Sequence, residues 1–192
     1  MKPNRFALVA LLMVALVGLP GCGHNTTSDT EAEVVLTTNS VLVPIYADMA
    51  NQSPTVQGYL EVVFPTLVIN SKYKSPSQTS STQNDAILNQ CVVTCTRTDG
   101  GTVASPSWQN FITMYVPAGG TVTFTNYPIF PPEYFKQPPL NQLLPENGNV
   151  DKETGKHNIR ERLHIAIYGK TVAGKSVSLE FDQNINFFYV TF

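Results

Sequence analysis

The sequence predicts an all-β fold: an antiparallel Greek-key sandwich of about seven or eight strands. Fourteen prolines, with frequent Thr, Val, Tyr and Phe, argue against a helical bundle. From Val34 onward, short β-branched and aromatic runs recur between turn residues. Near the C-terminus, Leu163, Ile165 and Ile167 alternate with His164, Ala166 and Tyr168, and Val177, Leu179 and Phe181 alternate with Ser178, Glu180 and Asp182. Period two with one apolar face marks a half-buried antiparallel strand.

The same pattern places strands at Glu33–Thr38, Val41–Tyr46, Tyr59–Ile69, Ile87–Arg97, Asn110–Pro117, Gly120–Asn126, Arg162–Tyr168 and Ser176–Phe188. The last is expected to break near Asp182–Asn184. Asp99-Gly100-Gly101 ends one strand, and Pro117-Ala118-Gly119-Gly120 joins two others tightly. Gly169 to Lys175 closes the C-terminal hairpin. Two long segments interrupt the pattern: the polar stretch Ser71 to Asp85, and Pro128 to Asn158, with a helical turn expected around Leu140–Leu144. Loops of that length tend to be functional or disordered.

The first residues point to an address. Lys2 and Arg5 precede the apolar run Phe6 to Val17, which falls in the ~7–15 residue range of a signal-peptide core and is too short to span a bilayer. Leu19-Pro20-Gly21-Cys22 follows, then a polar stretch. This resembles the lipobox of bacterial lipoproteins. The resemblance implies cleavage after residue 21, a diacylglycerol on the Cys22 thiol and acylation (palmitate or similar) of the new amine. Gly23 instead of Asp implies the outer membrane, with the domain facing periplasm or outside. The expected organisation is a signal peptide at 1–21, a lipidated flexible tether at 22–33 and a β-sandwich domain at 34–192. Losing Lys2 and Arg5 takes the formal charge from −2 to −4.

The runs VVTCTRTDGG, YVPAGGTVTF and IAIYGKTVAGKSVSLEF are also similar to immunoglobulin-like sandwich domains of bacterial lipoproteins, over roughly residues 87 to 188. That likeness implies a fold and no activity.

Composition and motifs exclude several classes. A mildly acidic chain with scattered Lys and Arg has no nucleic-acid footprint; its densest cluster, Lys156, Arg160 and Arg162, is interrupted by Glu161. Gly-X-Ser-X-Gly, HExxH and phosphate-cradling glycine loops are missing, and Glu161 and His164 share no face of a strand, so no enzyme is expected. No cofactor is implied. Asn147, Asn149, Asp151 and Glu153 alternate, but Lys152 and Asn158 stand where a calcium loop needs Gly and Glu, so the stretch reads as a solvated turn. The terminal NFFYVTF resembles a barrel-sorting signature, but the Pro-punctuated strands do not supply barrel strands.

Cys91 and Cys95 remain once Cys22 is assigned to lipid. Residues four apart on a strand lie ~13 Å apart, beyond the ~7 Å that a disulfide tolerates, so a bridge needs a bulge or a helical turn. Buried free thiols are the favoured alternative. With His157 and His164 far along the chain, a structural zinc site is not expected.

The aromatic residues are the remaining cue. Tyr127, Phe130, Tyr134 and Phe135 crowd the start of the Pro-rich loop, and Trp108 lies in another loop. Such rings pin a loop to a core, or else stack on a sugar or seat a partner. The expected function is that of a non-enzymatic, lipid-anchored envelope accessory or adhesion-type protein, tethered to the membrane and docking on another envelope protein. The alternative is a small-ligand or glycan-binding module using loop 127–158, with Trp108 and Tyr134 as first candidates.

Overall fold

The computed structural model of the chain describes residues 32–38, 44–51 and 62–189. The expected signal peptide, Cys22 and the expected tether as far as residue 31 lie outside the described residues, as do residues 41–43 of the second expected strand and 59–61 of the third.

The chain is all-β. The described residues form eight strands: β1 Val34–Thr38, β2 Ile45–Asp48, β3 Val62–Tyr73, β4 Ala86–Arg97, β5 Trp108–Val116, β6 Thr121–Phe130, β7 Asn158–Thr171 and β8 Ser176–Phe188. They make two sheets, one in the order β1-β3-β6 and one in the order β2-β8-β7-β4-β5. Neighbours run antiparallel except β2, which lies parallel to β8. The sheets pack face to face. Phe64 on β3 meets Phe181 on β8 at 5.5 Å between ring centroids, and Phe130 on β6 meets Phe187 at 4.9 Å.

Period-two alternation decides what fills the space between them. Leu36, Leu67 and Ile69 project from the three-stranded sheet, and Leu88, Val93, Met114, Leu163, Ile165, Ile167 and Leu179 from the five-stranded one, all buried. Strand β8 runs unbroken through residues 182–184 because Gln183 keeps the inward phase, fully buried, its amide donating to the Asn184 carbonyl at 2.8 Å. Ala32 is also buried, and the Glu33 carbonyl accepts from the Lys74 N–H at 2.9 Å, so the packed domain starts within the expected tether.

The Pro117–Gly120 connection joins strands of different sheets rather than a hairpin. Gly119 sits at φ 70, the Gly120 N–H returns to the Pro117 carbonyl at 3.0 Å, and Asp85 Oδ1 accepts from the Ala118 N–H at 2.8 Å. The corner therefore turns away from β4 and onto β3, where Ser71 N–H meets the Gly120 carbonyl at 2.8 Å.

The two long segments are ordered in large part. Ser71–Tyr73 belongs to β3, and Ser81 caps a 3-10 turn at Thr82–Asn84 by accepting from the Gln83 N–H at 3.2 Å. Pro128–Phe130 belongs to β6. Three 3-10 turns follow, Pro132–Lys136, Leu140–Leu143 and Pro145–Asn147, and the middle one buries Leu140 and Leu143. The helical turn expected around Leu140–Leu144 is therefore present in the tighter 3-10 form.

Candidate functional site

The aromatic residues of the Pro-rich segment turn inward. Phe130 and Phe135 are 3% and 5% exposed. Their centroids lie 5.5 Å apart, Phe187 sits 6.0 Å from Phe135, and Tyr134 meets Phe130 edge-on at 5.9 Å and 88°. Offset and edge-on contacts of this kind stabilise a packed cluster beyond the area they bury. Phe130 and Phe135 thus present no ring face to a ligand, which corrects their place among the contact candidates. Their side chains fasten the turn Pro132–Lys136 to the sandwich. Trp108, Tyr127 and Tyr134 are half-buried. The Tyr134 hydroxyl donates to the Ser107 carbonyl at 3.4 Å. Trp108 lines a hollow of ≈ 320 Å³ with Pro128, Phe130, Pro131 and Pro132, and its indole N–H has no hydrogen-bond partner.

The far end of the same segment is held by charge. Arg97, at the end of β4, has a side chain only 2% exposed. Its guanidinium takes Asp99 in a fork, Nε to Oδ1 at 2.8 Å and Nη2 to Oδ2 at 3.1 Å, and reaches Asp151 Oδ2 at 2.6 Å. Asp99 also accepts from the N–H groups of Arg160 (2.8 Å) and Gly101 (3.2 Å). Burial by itself would push the Asp99 carboxyl up. The Arg97 and backbone hydrogen bonds, with the Arg97 charge, outweigh burial and hold it at about 2. Asp151 is fully buried, which corrects the reading of its neighbourhood as a solvated turn. Glu153 reaches across to the 102–103 backbone, accepting from Thr102 N–H at 2.7 Å and Val103 N–H at 3.1 Å. These carboxylates are engaged by Arg97 and by backbone, and among the described residues no three His, Cys, Asp or Glu side chains converge as metal ligands.

Glu161 holds an inward position on β7, opposite Arg97 in register, and is fully buried. One oxygen accepts from the Ser105 N–H at 2.8 Å, and the other has no partner. Burial pushes this carboxyl up, the Ser105 N–H and the Arg97 charge opposing. Cys95 lies beside it, and burial together with the Glu161 charge pushes its thiol up to about 12. Burial raises the Cys91 thiol to about 11, against a smaller lowering by the Tyr127 hydroxyl. Both cysteines are free, Cys91 buried and Cys95 half-buried, on the face of β4 that also carries Val93. Thiols with pKa values this high are poor nucleophiles at neutral pH.

The outer face of the five-stranded sheet is accessible and divides in two. On β7 and β8 it is charged: His164 Nδ1 meets Asp182 Oδ1 at 2.8 Å, and Arg162 stands 3.8 Å from the same carboxylate. On β5 and β4 it carries no charge before Arg97 and holds large apolar side chains among Gln109, Thr113, Asn89 and Thr94. Phe111 is 81% exposed and Tyr115 51%, with Ile87 beside Tyr115 in register and Gln90 between Phe111 and Tyr168. Ile87 and Tyr168 are exposed as well. A register shift between Leu88 and Gln90 indents this surface, leaving a hollow of ≈ 510 Å³ lined by Asn89, Gln90, Tyr168 and Lys170. Gly169 permits it: a Cβ there would stand 2.1 Å from the Ile87 carbonyl oxygen.

Phe111, Tyr115, Tyr168 and Ile87 were not singled out by the sequence reading, although a signal exists. In β5, residues 112, 114 and 116 supply the inward face, so Phe111 and Tyr115 are apolar residues left over on the other. Large apolar residues on the outward face of a strand, in a protein whose other hairpin is polar outside, mark an exposed patch. Compared with known proteins, no family model matches the chain, and no curated protein matches its sequence. The fold and the accessible surface are therefore what bears on function.

Proposed function

We propose that this is a lipid-anchored protein of the bacterial outer membrane, non-enzymatic, whose immunoglobulin-like domain docks on another protein through the apolar half of the outer face. The carrying observation is the exposure of Phe111, Tyr115, Tyr168 and Ile87 on neighbouring strands of one sheet face. Contiguous exposed apolar surface on a soluble domain marks an interaction site, and aromatic residues dominate such contacts. The immunoglobulin-like reading is supported by the strand order, by crossings between sheets after β3, β5 and β6, and by the parallel β2–β8 pair.

Anchoring at Cys22 fits this geometry. Ten residues reach from Cys22 to the buried Ala32, at most ~35 Å of chain. The domain starts at β1, which packs on β8, whereas β5 lies at the other edge of its sheet, beside β6. The docking side then faces away from the point of attachment, and confinement to a surface raises local concentration so that modest contacts suffice. A photoreactive residue in place of Phe111 of the full chain, activated in intact cells, tests the proposal. Adduct with a discrete protein is expected, whereas the same substitution at Thr94, on the outer face of β4 away from the patch, should give none. Equal labelling from both positions would refute the docking face.

A second reading, a small-ligand or glycan module, is favoured by one observation: the unpartnered Trp108 indole N–H beside the proline-lined hollow. Tryptophan fluorescence during titration with an oligosaccharide panel reads it out directly, since Trp108 is the single tryptophan.

A further inference from the structure

At the β2 edge of the five-stranded sheet, strand register assembles a row of polar side chains on the outer face. Tyr46 pairs with Asn186 of β8, and Asn186 pairs with Arg160 of β7. The Thr98 N–H, just past β4, meets the Arg160 carbonyl at 2.9 Å. Residues paired in register share one face of a sheet. Ala47, Ile159, Glu161, Ile185 and Phe187 are buried and take the inward positions, so the row faces outward. Asn184 and Asn158 lie two residues before Asn186 and Arg160 on their strands and occupy the same face. Asn158 Nδ2 donates to Asn186 Oδ1 at 2.7 Å. All six residues line a hollow of ≈ 530 Å³, within the ~300–1,000 Å³ range of small-molecule sites.

The lining differs in kind from the β5 patch. Tyr46 is 70% exposed, which leaves its ring open to a ligand. Beyond the Asn158–Asn186 bond, the three asparagine amides have no side-chain partner among the described residues. Arg160 is exposed and makes no ion pair among the described residues. The nearby carboxylates are already engaged, Asp182 by His164 and Arg162, and Asp99 by Arg97.

We propose that this hollow binds an acidic saccharide, with a sugar ring stacked on Tyr46, hydroxyls on the asparagine amides and a carboxylate on Arg160. Each lining group selects one part of that ligand. The apolar face of a pyranose suits an aromatic ring with a polar tip. Sugar hydroxyls both donate and accept, as amides do. A guanidinium covered by an uncharged ligand loses water and gains no counter-charge, whereas a carboxylate meets it in a two-bond fork. Strands stand ~4.8 Å apart, so Tyr46 and Arg160 are ~10 Å apart at the backbone, and two long side chains meet one sugar residue across that gap. A simple anion would use Arg160 alone. Strand β2 is the sheet edge opposite β5, so this site and the docking patch do not overlap.

Amide nuclear magnetic resonance of the isotope-labelled full, lipidated chain tests the site, in a polyoxyethylene detergent that carries no sugar. The probes are glucuronate, N-acetylneuraminate and trigalacturonate, with glucose, maltotriose and acetate as controls. Saturable shifts are expected at residues 46, 98, 158–160 and 184–186 with the acidic sugars. Binding about tenfold weaker is expected for the uncharged sugars and for acetate. R160Q brings the acidic sugars down to the affinity of the uncharged ones, R160K falls between, and Y46A weakens both sets alike. Both positions are exposed, and the rest of the spectrum reports whether each variant keeps its fold. Binding of the trimer alone, or of the monosaccharides as well, supports the proposal and separates a polymer from a free sugar acid as the source. No saturable shift with any acidic sugar overturns it. So do equal affinity for charged and uncharged sugars, acetate binding as tight as that of the acidic sugars, or binding that R160Q leaves unchanged. Shifts centred on Trp108 also overturn it, and move sugar binding to the proline-lined hollow. None of these results bears on the docking face, which the photoadduct at position 111 tests separately.

Discussion

Two groups of aromatic residues are built from the same side chains and end in opposite environments. Phe130 ends β6, and Tyr134 and Phe135 follow among prolines at the start of the long connection to β7; Phe130 and Phe135 pack against Phe187 in the core, and Tyr134 against Phe130. Phe111, Tyr115 and Tyr168 are scattered over two strands, and the sheet gathers them on its outer surface. A connection of that length must be fastened, and burying rings is an effective way of doing it. A strand residue, by contrast, has its face fixed by its neighbours. Once Ile112, Met114 and Val116 face the core, Phe111 and Tyr115 have only the solvent side left. Local aromatic density thus reports anchoring, and apolar residues out of phase with a strand's buried set report an exposed surface.

The largest effects are expected where the connection is fastened. Replacing Phe130 by Ala removes a ring from the cluster and should destabilise the domain by ~3–5 kcal/mol in urea unfolding. Arg97→Met leaves the buried Asp99 and Asp151 carboxylates unpaired and should cost ~3–5 kcal/mol. Hydrogen exchange in the Arg97 variant should speed up first in residues 139–156. Faster exchange confined to β1 would contradict the role given to the network.

Next comes the indentation beside Tyr168. Gly169→Ala places a methyl group against the Ile87 carbonyl and should destabilise by ~1–3 kcal/mol, with the loss concentrated in the β4–β7 pairing. An unchanged melting temperature would mean that the bulge at Leu88–Gln90 adapts freely.

The pH dependence is smaller and has two signs. Asp99 is held at about 2, below its unfolded value near 4, so its contribution is present above pH ~4 and lost as pH falls towards 2. Glu161 is shifted upward, so its contribution is fully present below its unfolded value and disappears as pH rises through the folded one. Glu161→Gln removes the second dependence. The variant should melt higher than the wild type at pH 7.5 and show no such gain at pH 4. A gain of equal size at both values would mean that ionisation of Glu161 is not what weakens the protein at neutral pH.

The sequence made much of the sheet framework legible and much less of the surface. Strands β4, β5 and β8 follow from alternation within two residues at their ends, and β7 extends beyond its expected span by four residues at its start and three at its end, because half-buried strands write their burial directly into residue type. The Arg97 network was illegible: Asp99 is close by, but Asp151 and Glu153 lie more than fifty residues away, and nothing local distinguishes a buried Asp from a solvated one. Glu161 hid in the same way, since its neighbours Arg160 and Arg162 make a charged run while the strand turns it inward. The candidate contact residues erred through a choice of scale. Rings close together in sequence belong to the packed cluster, whereas the exposed rings of β5 are set apart only by the face each occupies.

The division between inward and outward rings is open to one direct comparison, urea unfolding of Phe130→Ala and Phe111→Ala side by side in the full chain, at concentrations where both are monomeric. The expected result is a loss of ~3–5 kcal/mol for position 130 and a change within ~0.5 kcal/mol for position 111. Losses of similar size would place Phe111 in the folding core, contradicting an outer face kept apolar for a partner.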